Sequence, residues 1–286
     1  MRDYVLAVLF GIVEGCTEFL PISSTAHIRL AQDWFNLPMD DPFWKLFAVV
    51  IQLGAVLCIP IYFRVRIVEF LRTFPRGATG DRNVWNHPLS LVIIATFVTA
   101  GPAYLLDKKI GENLESLGII ATALIAGGVL MWLIEFAHMP TTTESMEQMK
   151  FWQAMVIGAA QIVAAAFPGT SRSFATIVAG EGVGLSRPAA VEFSFFLSIP
   201  VMFGASLLKL AQVFFRNADA ATAADAQWHV QMTPHYWGVL AIGFVVSFFV
   251  AWGVVAWFMH WVRRHGFIPF AIYRIVLGVI VLLIAR

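Results

Sequence analysis

Residues 14–27 read Glu14-Gly15-Cys16-Thr17-Glu18-Phe19-Leu20-Pro21-Ile22-Ser23-Ser24-Thr25-Ala26-His27, and this stretch decides the fold. It closes an apolar run, 4–20, that carries two carboxylates and no basic residue. A proline and three hydroxyl residues then interrupt the chain, and a second helical stretch, 26–35, follows. The same order recurs further on. The run 152–167 leads into Pro168-Gly169-Thr170-Ser171-Arg172-Ser173 and then into 174–184. Non-helical backbone at membrane depth is tolerated only where it is buried in protein or lines a wet cavity. The pattern therefore predicts two re-entrant hairpins, 4–35 and 152–184, that meet inside the protein.

Six further apolar stretches are long enough to cross a bilayer: 44–63, 89–106, 117–136, 189–214, 236–260 and 267–285. The composition agrees. The chain is 59% hydrophobic and 13% charged, well outside the range of a water-soluble domain, which excludes a soluble globule or a disordered chain. A mean hydropathy of +0.76 points the same way. The expected fold is all-α and polytopic, one membrane domain over 1–286. A net charge of +1 argues against a nucleic-acid partner. Cys16 and Cys58 lie in apolar runs and form no disulfide framework or zinc motif. The first apolar run carries Glu14 and Glu18, and Asp3 offsets Arg2, so it is not expected to be a cleaved leader.

Charge placement orients the spans. Arg64, Arg66, Arg72, Arg76 and Arg82 put the longest loop in the cytoplasm, and Arg263 and Arg264 then also fall inside. The loop with Asp219, Asp225 and Arg216 falls outside, as does the one with Asp107, Lys108, Lys109, Glu112 and Glu115. The first hairpin is expected to enter from outside and the second from the cytoplasm.

That opposition suggests an internal repeat. A shift of 147 residues lays Gly11, Glu14, Pro21 and Ser24 on Gly158, Gln161, Pro168 and Ser171. Each half, 1–136 and 151–286, is then one hairpin plus three spans. An odd number of spans inverts the halves and places a site at their interface near the midplane.

The hairpins hold the residues with chemistry. Glu14 and Glu18 are four apart and share a helix face. An ionised side chain at the bilayer centre costs at least about 2.5–3.5 kcal/mol, so the pair needs a divalent cation, a shared proton or an arginine. Ser23, Ser24 and Thr25 supply hydroxyls at a new helix start, whose positive dipole end favours anions. His27 titrates near neutral pH when unperturbed. In the second turn Gly169 permits close backbone approach, and Thr170, Ser171 and Ser173 can donate hydrogen bonds. Arg172 sits in an apolar region, where a guanidinium needs an anion and fits phosphate with two bonds. A salt bridge to Glu14 or Glu18 would also satisfy it. Together these groups describe a phosphate or diphosphate site with a metal.

The motif pair Glu14-x-x-x-Glu18-Phe-Leu-Pro-Ile-Ser-Ser-Thr-Ala-His27 and Pro168-Gly-Thr-Ser-Arg-Ser-Phe-Ala-Thr176 resembles the two signatures of the undecaprenyl-diphosphate phosphatases, the BacA/UppP family. The stretch 181–208, with Gly184-Leu185-Ser186-Arg187 and Glu192-Phe193-Ser194-Phe195, is also similar to that family. The resemblance covers essentially the whole chain. It implies a bacterial inner-membrane enzyme with an outward-facing site that removes the terminal phosphate of a polyprenyl diphosphate lipid. It further implies a divalent cation, Mg²⁺ or Ca²⁺, a role in recycling the carrier lipid for cell-wall synthesis, and bacitracin resistance on overproduction. By the same resemblance Glu14 and Glu18 are the metal and base carboxylates. Ser24 and His27 are nucleophile and acid–base partner. Ser171, Arg172, Ser173 and Thr176 bind the diphosphate, with Ser23, Thr25, Gly169 and Thr170 beside them. Two positions depart from the family pattern: Ala26 and Phe174 stand where it usually has glycine, and Phe174 puts a bulky ring beside the site.

Two routes stay open on the sequence: attack by Ser24 with His27 as its base, which is favoured, or attack by a water that Glu18 or His27 activates. A lipid-phosphate transporter would share the broken helices and the anion site but would not require a base. The separated motifs of the soluble-type acid phosphatases are absent. A homo-oligomer is compatible with the sequence.

Overall fold

The computed structural model describes residues 1–38, 41–105, 116–137, 139–215 and 230–284. The loop charges Asp107, Lys108, Lys109, Glu112, Glu115, Arg216, Asp219 and Asp225 lie outside the described residues.

Among the described residues the chain is helical and holds no β-strand. The first hairpin is α1 (Arg2–Thr17) and α2 (Ser24–Trp34). Then come α3 (Pro42–Tyr62), the short polar α4 (Arg64–Thr73), α5 (Pro88–Leu105) and α6 (Leu117–Ala137). The second hairpin is α7 (Phe151–Ala166) and α8 (Arg172–Gly182). It is followed by α9 (Arg187–Phe215), α10 (Pro234–Trp261) and α11 (Ile268–Ile284). Among the described residues four helices are long and apolar enough to cross a membrane: α3, α6, α10 and the Arg187–Ala211 part of α9. The described parts of the other two expected spans, α5 and α11, are apolar, and each runs to the last described residue of its segment.

The surface is that of a protein dissolved in lipid. Phe97, Leu133, Phe249 and Leu283 point outward with more than half their area exposed, while Glu14, Glu18, Gln161 and Arg274 are buried. Water would penalise that exterior, whereas hydrocarbon accepts it. Apolar surface gives helices no reason to associate inside a bilayer, so small residues bring the backbones close. Gly11 and Gly15 of α1 lie on the α10 backbone, and Gly158 of α7 lies on Ala95 of α5. Gly127, Gly128 and Gly278 let α6 and α11 approach.

The two hairpins start at opposite ends of the bundle. Arg2 and Asp3 hold Phe35 and His235, at 2.8 and 2.9 Å, so α1 begins beside the start of α10. Phe43, which opens α3, stacks on Tyr236 there at 4.0 Å between centroids. α3 then crosses to the other end, where Arg66 bonds Glu192 of α9 at 3.0 Å and also Glu147. α7 begins at that far end, with Gln153 donating to Val183 O at 2.9 Å.

Candidate active site

The turns of the two hairpins meet in the middle of the bundle. Ser173 Oγ donates to Leu20 O at 2.8 Å, and Arg172 reaches Glu18 across the same junction. Each second helix starts on a serine N-cap. Ser23 accepts from Ala26 N, and Ser171 accepts from Phe174 N. Ser23 has φ 74° and Ser171 φ 71°, a left-handed conformation that side chains rarely adopt. Such strain costs of order 1–3 kcal/mol and persists only where surrounding structure enforces it. Both helices therefore bring their positive dipole ends to the junction. Gly169 presses the second turn onto α6, where a Cβ would strike the backbone of Ile120 at 2.5 Å.

Glu18 is the hub. Its Oε2 accepts from Ser24 Oγ at 2.6 Å, and its Oε1 pairs with Arg172 Nη2 at 3.1 Å. The first distance is that of a charge-assisted O–H···O⁻ bond. Arg172 also donates to Ser194 O at 3.0 Å and to Met202 Sδ at 3.3 Å. Its guanidinium lies over the buried ring of Phe19, 5.7 Å from the centroid. Its Nε is buried and has no partner.

Glu14 lies behind this hub, with its carboxyl against that of Glu18. Its Oε1 is buried with no partner. Gln161, onto which the 147-residue shift lays Glu14, is likewise buried, and neither its Oε1 nor its Nε2 has a partner. Among the described residues no group of three or more His, Cys, Asp or Glu gathers as a ligand cluster. The chain thus offers two carboxylates and one orphaned oxygen. That set fits a hard cation which takes its remaining oxygens from phosphate and water, the usual habit of Mg²⁺.

His27 is placed differently from the expectation that it serves Ser24. Its Nδ1 meets Ser23 O at 2.7 Å and its Nε2 meets Tyr273 OH at 2.6 Å. A carbonyl only accepts, so Nδ1 carries a hydrogen. The Ser24 hydroxyl turns to Glu18 instead. Several hydroxyls of the second turn are spent on structure. Thr176 Oγ1 shares a hydrogen with Ser194 at 2.7 Å and donates to Arg172 O at 2.9 Å. Ser173 is fully buried, while Ser24, Thr25 and Ser171 keep some exposure. Thr170 is buried and lines a groove on the α6 side.

Sequence reasoning missed Arg274. It is the largest fully buried side chain, and no carboxylate lies within ion-pair distance of it among the described residues. It donates instead to Pro21 O at 3.0 Å, Ala123 O at 3.1 Å and Gly169 O at 3.2 Å. One guanidinium thus ties both hairpin turns and α6 together. The departing residue Phe174 lies beneath it, 4.4 Å from ring centroid to Cζ. Gly127 opens the space for Nη2, since a Cβ there would collide with it. The signal was present: an arginine inside the apolar stretch 267–285 has to be held by something.

Fold and centre define the class: a multi-pass membrane protein with a buried carboxylate–hydroxyl–guanidinium centre between two broken-helix turns. The chain belongs to the BacA family; residues 7–280 match the family described as "Bacitracin resistance protein BacA". It is 52% identical to an undecaprenyl-diphosphatase of Koribacter versatilis (strain Ellin345), covering 99% of this chain and 98% of that one. It is 37% identical to undecaprenyl-diphosphatase 1 of Frankia alni, over 96% and 93% of the two chains. It is 36% identical to an undecaprenyl-diphosphatase of Deinococcus radiodurans, over 99% and 96%.

Proposed function

We propose that the chain hydrolyses undecaprenyl diphosphate to undecaprenyl phosphate and phosphate, in the inner membrane of a bacterium. The observation that carries the chemistry is the chain Ser24 Oγ–Glu18–Arg172, a hydroxyl, a base and a guanidinium in direct contact. Ser24 Oγ attacks the terminal phosphorus, and Glu18 Oε2 takes its proton. The P–O bond to the bridging oxygen breaks, and undecaprenyl phosphate leaves. Water then cleaves the phosphoserine and releases phosphate. Arg172 and the two helix N-termini stabilise the charge that develops on the phosphoryl oxygens, ordinarily the largest catalytic contribution. Glu14 and Glu18 would hold a divalent cation, Mg²⁺ or Ca²⁺, whose chemistry is to neutralise phosphate charge. His27, held by Ser23 and Tyr273, orients the first turn of α2. Ser173 and Thr176 act through the shape of the second turn.

The architecture behind this reading is an inverted repeat of two re-entrant hairpins and six spans. Two features support it: the twin left-handed serines and a packing pattern that survives exchange of the halves. α1 packs on α10 as α7 packs on α5, and α3 on α10 as α9 on α5. The pairs α3–α9 and α6–α11 map onto themselves. The cytoplasmic placement of Arg64, Arg66, Arg72, Arg76 and Arg82 leaves the site to the periplasm. There the product recycles the carrier lipid for cell-wall synthesis, and overproduction raises bacitracin resistance. The test is phosphate release from undecaprenyl diphosphate by the purified chain in detergent with a divalent cation. Lipid movement across vesicles without phosphate release would favour a transporter instead.

A further inference from the structure

A groove of about 700 Å³ runs along α6 and ends against the second hairpin turn. Ala123, Ala126 and Gly127 form its low wall, and Phe167 and Phe174 form the high one. Thr170, one residue before Ser171, stands at its end. Among the described residues no charged side chain lines it.

We propose that this groove seats the first isoprene units of the substrate's polyprenyl chain. The inference rests on the diphosphatase reading above and adds where the lipid part lies. Three observations favour this occupant. The groove ends beside the candidate site, because its lining residues Thr170 and Phe174 flank Ser171, Arg172 and Ser173 in the chain. Arg274 ties the two together, since it bonds Ala123 O on the groove wall and Gly169 O in the turn. The lining suits an uncharged hydrocarbon: a headgroup or a peptide would bring polar groups that the walls leave unpaired. The size admits several isoprene units and not a whole undecaprenyl chain, so the remainder lies in the bilayer. A small-residue wall facing aromatic rings accommodates the methyl branches of an isoprenoid.

The experiment fills the groove and varies the chain. Ala126→Trp and Thr122→Trp both place a ring in the groove from exposed positions of α6, where the fold tolerates bulk. Phe249→Trp, on the exposed face of α10, is the control. For undecaprenyl diphosphate kcat/KM falls by about tenfold in both groove variants, about 1.4 kcal/mol. For dimethylallyl diphosphate, with a single isoprene unit, it stays within about twofold of the unaltered chain. A prenyl diphosphate with a photoreactive group in its chain labels residues of 116–130 and 163–174. Equal losses for both substrates, no loss for either, or labelling confined to other helices would overturn the proposal and leave the groove to ordinary acyl chains. If the unaltered chain hydrolyses no prenyl diphosphate, the functional reading falls, and this inference with it.

Discussion

Replacing Arg172 by lysine keeps the charge and removes the fork, which isolates what the geometry contributes. The guanidinium holds Ser194 O through Nη1 and Glu18 Oε1 through Nη2, at 3.0 and 3.1 Å. With both arms anchored, its plane is fixed, and its partnerless Nε and the second hydrogen of Nη1 are the donors left for an anion. A lysine ammonium is a point charge on a flexible stem and cannot hold both anchors while facing a phosphate. Arg172→Lys therefore loses at least one hydrogen bond to a charged group, worth about 1.5–3 kcal/mol. Transition-state stabilisation falls by that amount, so kcat/KM drops roughly tenfold to a hundredfold. The assay is phosphate release from undecaprenyl diphosphate in detergent micelles, with thermal unfolding run beside it to show that the variant folds. A kcat/KM within about twofold of the unaltered chain would remove the clamp role.

Other outcomes follow from neighbouring contacts. Chelation should abolish activity, and Mg²⁺ or Ca²⁺ should restore it. Glu14→Gln should be partly rescued by excess cation, because Glu14 contributes an oxygen with no other duty. Glu18→Gln should stay inactive, because Glu18 also holds Ser24 and Arg172. Full activity in chelator, or equal and metal-independent losses, would refute this asymmetry. Arg274→Met leaves the carbonyls of Pro21, Ala123 and Gly169 without their donor, at about 1–3 kcal/mol each. Both the thermal midpoint and kcat should fall; an unchanged midpoint with normal kcat would show that the tie between the turns is dispensable. Burial pushes the Glu147 carboxyl up, but its hydrogen bonds from Arg66 outweigh that and hold it below the usual carboxylate range. A depressed folded-state value stabilises above the unfolded value and is lost as pH falls through the folded one. Glu147→Gln should therefore cost no more than about 1 kcal/mol of stability at neutral pH for so exposed a pair and lower the thermal midpoint modestly. The difference should vanish in acid, and a gap that persists there would contradict the ionic origin.

Much of the fold was legible because bilayer physics leaves few choices. Apolar runs become helices, since lipid offers the backbone no other hydrogen-bond partner. Pro21 and Pro168 mark the two breaks, and the observed helices α1, α2, α7 and α8 stop and start at those turns. The serines after each break fall at the N-caps, as helix-start chemistry requires.

Within the site, sequence alone determined which residues sit near one another along a helix. Glu14 and Glu18 share a face because of the 3.6-residue period, and Ser23 and Ser24 follow a proline that ends the preceding helix. It could not determine which side chain each of these meets across the bundle. Glu18 takes Ser24 and Arg172, while His27 takes Ser23 O and Tyr273. Residue types alone left both His27 and Glu18 open as a base; the packing puts the Glu18 carboxylate, and not the His27 ring, against the Ser24 hydroxyl. Arg274 makes the point most sharply. Its three carbonyl partners come from the first turn, from α6 and from the second turn, segments remote from it in the chain. Its burial without a carboxylate depends on how closely α6 and α11 approach at Gly127. Periodicity sets a residue's face and depth, whereas the rotation and spacing of packed helices set its partners, and only the tertiary structure holds that information.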